Sequence, residues 1–246
     1  MPTAPGSWSP VRDLAVPPSG GGPVNFLAHL VVSEALVGPG GCYDDRDPAR
    51  SLGAVLPDLA PMVGLRIERA GLSSGLLEGV DCHYRTDRAF HGLAVFVAGA
   101  SRLRVDLEAQ GLSTGASRAI GHAGWELLLD GKLAGQAAVR VSLVDALRVQ
   151  ALARPAFAEA DRDRWTSLAH RLATEAWWAH ADDARVIAER LHRMLVRRPR
   201  LAFDECRIDV VATALATVQP QVEQEAEAVV AAVVGKLVTD GAGRLV

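Results

Sequence analysis

From Asp209 to Val238 the chain returns an apolar residue every three or four positions: "DVVATALATVQPQVEQEAEAVVAAVVGKLV". That period collects apolar side chains on one face of an α-helix and gives no strand-like alternation. The same spacing runs through "DALRVQALAR", "ADRDRWTSLAHRLATEAWWAH" and "DARVIAERLHRMLVRR". Pro199 is expected to end one helix and Pro220 to kink or bound another, because proline lacks the N–H that a helix interior needs. Earlier, "SLGAVLPDLAPMVGLRI" carries a proline that breaks the pattern beside Asp58. Ser73 or Ser74 begins a helix that breaks near His91-Gly92, and Ser113 or Thr114 caps the next. Strand signals are thin. "AAVRVSLV" (Ala137 to Val144) is compatible with a short strand, but no neighbouring segment offers it a partner. The pattern predicts an all-α fold, a single-domain helical bundle over residues 24–246. Residues 1–23, rich in Pro, Gly and Ser, are expected to form a flexible leader.

Composition narrows the class. A chain of 246 residues is long enough to bury a real core. A net charge of -3 gives no global attraction to nucleic acid or to an anionic membrane, so neither is expected as a partner. Cys42, Cys82 and Cys206 are scattered and form no Cys-x-x-Cys pair, which argues against a disulfide framework and a thiolate zinc site. With neither a signal-peptide core nor a run of about 18 apolar residues, a cytoplasmic protein is expected.

The polar residues stand out against this background. "DCHYRTDRAFHG" places His83, Asp87 and His91 four residues apart, so on a helix they look in nearly the same direction. "GHAGWELLLDG" repeats the arrangement with His122, Glu126 and Asp130. Imidazole and carboxylate together suit Mn, Fe, Zn or Ni better than Ca or Mg. Facing helices are how helical bundles build metal sites. His29 in "NFLAHL" and Asp58 in "LPDLAP" lie among apolar residues. Asp58 either caps a helix beside Pro57 or faces a cation, because a carboxylate there is costly to bury alone. The candidate ligands are therefore His29, Asp58, His83, Asp87, His91, His122 and Glu126 for a divalent metal. Each has a plainer reading: a core histidine, a solvated face, a cap.

Other chemistry is poorly represented. The glycine clusters at 20–22 and 38–41 lack the Lys-Ser/Thr of a phosphate-binding loop. Arg197, Arg198 and Arg200 lie at a helix end in "RMLVRRPRL". Cations there complement the helix dipole, and their forked donors equally suit a phosphate or an acidic protein.

In chain order, "NFLAHL", "LGAVLPDL", "GVDCHYRTD", "GHAGWELLL" and "EAWWAHADDARVIAERLHRMLVRRPRL" resemble the acyl carrier protein phosphodiesterase family, over roughly Val24 to Leu201. The resemblance implies an all-helical fold distantly related to HD-domain phosphohydrolases. It also implies metal-dependent removal of 4′-phosphopantetheine from holo-acyl carrier protein. His29, Asp58, His83 and Asp87 match polar positions of the family pattern. Where the family reads approximately His-Arg-Arg-x-Asp followed by Asp, this chain has His83-Tyr84-Arg85-Thr86-Asp87 and then His91. Where it has Asp, then Trp-Asp-His, this chain has His122, then Trp125-Glu126-Leu127. The swaps keep metal-binding character and enrich it in imidazole.

A metal-dependent phosphoester hydrolase is the resulting expectation, acting on acyl carrier protein or a small phosphodiester. The metal would activate water, Asp130 would accept a proton with Asp58 assisting, and Arg197, Arg198 and Arg200 would hold phosphate or the carrier. Two alternatives stand beside it: a non-catalytic helical binding or regulatory protein with a decayed site, motivated by Leu127, and an imidazole-rich site doing redox chemistry.

Overall fold

The computed structural model describes residues 26–36 and 47–242; the leader, both glycine clusters and Cys42 lie outside them. Among the described residues there is no strand. Nine α-helices are described in chain order: α1 (Phe26–Ala35), α2 (Pro48–Met62), α3 (Ser74–His91), α4 (Ala94–Ala109), α5 (Thr114–Ala134), α6 (Ala137–Arg148), α7 (Arg162–Thr174), α8 (Ala184–Leu195) and α9 (Ile208–Ala242). None is long and apolar enough to cross a membrane.

Local signals set the helix starts. Asp47 accepts the Ala49 N–H at 2.9 Å, with Pro48 at the first helical position, where its missing N–H costs nothing. Ser113 accepts from Ala116, and Asp183 accepts from Arg185 and Val186. Ser73 precedes α3 without a side-chain cap, and α3 stops at His91 before Gly92, as the sequence predicts.

Three readings of the sequence are corrected. Ala137–Val144 lies in α6, not in a strand. Its β-branched residues are helical because Val139, Leu143, Ala146 and Leu147 form a buried helical stripe. Pro220 neither ends nor bounds a helix: α9 runs through it, with Val218 and Val222 fully packed on either side. Pro57 and Pro61 likewise sit inside α2, where every residue from Ser51 to Ala60 is buried. Burial on this scale outweighs the loss of one backbone bond per proline. The segment "EAWWAH" leaves α7 and forms a separate 3-10 turn at Trp177–His180.

Helix α1 is buried almost all round, from Phe26 to Leu30 and again at Val32 and Ser33, so it is a core element. α2 and α3 flank it, and α9 crosses α1, α3, α4, α5 and α8. Helices α2 and α3 cross backbone on backbone at two glycines. A Cβ on Gly79 would lie 2.1 Å from the Arg50 carbonyl oxygen, and one on Gly53 would lie 2.2 Å from that of Leu76. This crossing sets the separation of Asp58 on α2 from His83 on α3. Gly79→Ala is expected to force the helices apart and cost about 1–3 kcal/mol, read as a lower urea midpoint at unchanged slope.

Candidate metal centre

Three side chains from α1, α2 and α3 meet in the core. His29 Nε2 lies 3.8 Å from Asp58 Oδ2, and His83 Nε2 lies 3.7 Å from Asp58 Oδ1. The two imidazole rings stack with centroids 3.9 Å apart. All three residues are at most 2% exposed. These separations are too long for hydrogen bonds, and both Asp58 oxygens and His29 Nδ1 lack a hydrogen-bond partner.

Nor is this a set of ion pairs. Burial lowers His29 well below its ordinary value, and the charges of His83 and His91 add to that. Burial also lowers His83, against the opposing pull of its Ala54 hydrogen bond and of Asp87. Burial raises Asp58 well above the usual carboxylate range, with Asp130, Glu126 and Asp87 pushing the same way. Proximity of opposite formal charges is therefore misleading here, because the histidines are held neutral.

The arrangement fits a cation instead. Two donors each about 2.1 Å from a common ion stand roughly 3–4 Å apart, and the three ligand atoms lie within 4.8 Å of one another. His83 Nδ1 is 3.0 Å from the Ala54 carbonyl oxygen, which can only accept. The proton is therefore on Nδ1, and the Nε2 lone pair faces Asp58. A ligating histidine fixed through its other nitrogen in this way is the usual outer support of a metal site.

A second trio stands where α3 ends against the middle of α5. His91 Nε2 lies 2.9 Å and His122 Nε2 3.4 Å from the same oxygen, Glu126 Oε1. Its ligand atoms also lie within 4.8 Å of one another. The Glu126 hydrogen bond raises His91 above its ordinary value; burial opposes this, while Asp87 and Glu126 add attraction.

The seven predicted ligands thus sort into two groups, with Asp87 outside both. His83 and His91 are eight residues apart, roughly 12 Å along the helix axis, too far for one ion. His83 reaches inward to α1 and α2, while His91 reaches α5. Asp87 Oδ1 faces His91 Nδ1 at 3.5 Å.

Asp130 stands apart from both trios and ties α5 to α1. Its Oδ2 accepts the Leu27 N–H at 3.0 Å and its Oδ1 accepts that of Ala28 at 3.1 Å, so both oxygens cap the start of α1. Burial pushes its carboxyl up to about 7, against the two N–H groups and the Arg190 guanidinium, which favour the charged form. By holding α1, Asp130 places His29. One support carries no motif in the sequence: the Ala54 carbonyl.

Arg197, Arg198 and Arg200 are not brought into either trio. The Arg200 carbonyl packs against Gly115 in the first turn of α5. His122 is seven residues further on, about 10 Å along the axis.

No protein-family model, curated protein or solved structure matches the chain.

An ionisable carboxylate inside the inner trio predicts a pH effect. A raised Asp58 contributes stability that is present below its unfolded value of 3.8 and lost as pH rises through its folded value. In EDTA, wild-type urea stability is expected to fall from mildly acidic to alkaline pH more steeply than that of Asp58→Asn. His29 and His83 are common to both proteins, so the difference reports Asp58.

Proposed function

We propose that this protein is a metal-dependent phosphoester hydrolase. The observation that carries the reading is the buried His29–Asp58–His83 trio, with its unpartnered carboxylate and its oriented imidazole. His29, Asp58 and His83 would hold a divalent ion, one of Mn, Fe, Zn or Ni by the donor set. Such an ion supplies Lewis acidity towards a phosphoryl oxygen and lowers the pKa of bound water. The protein's own share is positional: Ala54 holds the His83 tautomer, Asp130 holds α1, and the glycine crossing sets the α2–α3 separation.

The substrate class comes from the ordered motifs that resemble acyl carrier protein phosphodiesterases. A phosphodiester carried by an acidic carrier protein fits the arrangement better than a small one bound by the arginines. Arg197, Arg198 and Arg200 would grip the carrier rather than the reacting phosphate; the Arg200 carbonyl lies against Gly115, roughly two turns of α5 before His122. One observation favours a second reading. Two imidazoles and one carboxylate are also the ligand set of non-haem iron oxygenases, so an iron-loaded protein would point to redox chemistry.

The test is metal content by inductively coupled plasma mass spectrometry on protein purified without a histidine tag, followed by hydrolysis of bis(p-nitrophenyl) phosphate and holo-acyl carrier protein. Bound Mn, Zn or Ni is expected. His83→Ala is expected to lose inner-site metal and to lower turnover on the order of 100-fold or more. A metal-loaded wild type that cleaves neither substrate would overturn the hydrolase reading.

A further inference from the structure

The inner trio is buried, with each residue at most 2% exposed. The outer trio differs in each respect that matters for exchange. Its histidine side chains are 30% and 48% exposed, while Glu126 is 2% exposed. Two imidazole nitrogens from different helices converge on one oxygen of that buried carboxylate, and its other oxygen, Oε2, is buried without a partner. A buried carboxylate left half-satisfied calls for a cation.

The surroundings fix the ligands in place. Phe96 packs against both imidazoles with centroids at 5.1 Å, and Phe90 lies 5.6 Å from His91. Asp87, on the same helix, faces the far nitrogen of His91. Carboxylate, histidine and metal in line is a recurrent support of zinc sites.

We propose that His91, His122 and Glu126 form a second divalent-cation site, distinct from the inner one, with Asp87 orienting His91 from outside the ligand set. Two neutral imidazoles and one carboxylate leave a divalent ion with net positive charge. Exposure of the histidines leaves coordination positions open, as in catalytic rather than structural sites. The ligand those positions would take is an anionic phosphoryl oxygen. That last role rests on the hydrolase reading above; the metal site itself does not.

The decisive experiment is a titration of the full chain with Co(II), followed by visible absorption and equilibrium dialysis. The proteins are wild type, His122→Ala, Asp58→Asn and Asp87→Asn. Wild type is expected to bind two equivalents. His122→Ala, which changes a half-exposed side chain and should leave the circular dichroism melt intact, is expected to keep only the inner one. Asp58→Asn is expected to keep only the outer one. Asp87→Asn is expected to weaken the outer equivalent about 10–100-fold. A wild type that saturates at one equivalent overturns the proposal, and the variants then say why. If only Asp58→Asn abolishes binding, the outer trio is a hydrogen-bonded polar group and the hydrolase reading survives on the inner ion. If both His122→Ala and Asp58→Asn abolish it, the outer trio is not an independent site, and the single ion depends on contacts between the two trios. No Co(II) bound by any protein would sink the metal-dependent function as well.

Discussion

A single carboxylate sits where a protein can least easily keep one. Asp58 is enclosed by α1, α2 and α3, with neither oxygen hydrogen-bonded and two neutral imidazoles turned towards it. Hydrophobic replacement would be easier on the fold, since burying a charge without compensation is among the costlier arrangements a core can hold. The side chains around Asp58 do not relieve this cost; Glu126, Asp87 and Asp130 add to it. Such a group makes sense as half of an interaction whose other half is positive.

Much of the surrounding structure holds that geometry. Helix α1 carries His29 and is anchored from α5 by both oxygens of Asp130. The glycine crossing lets α2 and α3 approach to backbone contact, one turn from His83. Pro57 leaves the Gly53 carbonyl without its helical donor, and the adjacent Ala54 carbonyl takes the His83 ring nitrogen.

The candidate residues were legible one by one and illegible as groups. Four-residue spacing correctly put His122 and Glu126 on one face of α5, where they meet. The same rule, applied to His83, Asp87 and His91, merged residues that serve two places, because two helical turns carry a side chain roughly 12 Å along the axis. Asp130 fits the spacing as well as Glu126 does, yet its carboxylate is spent on α1, which lies 102 and 103 residues away in sequence. Proline misled more simply: Pro57 and Pro220 are strong local breakers, overridden by burial that no local window contains.

By itself, the sequence determined the helical class, most helix starts and the set of imidazoles and carboxylates available for chemistry. Those follow from periodicity, capping and composition, which act over one or two turns. Only the tertiary structure decided which of those groups come together, which tautomer His83 adopts, and that Asp130 ties α5 to the start of α1. Each depends on contacts between helices distant in the chain, where separations of an ångström decide between ligand, hydrogen bond and neither.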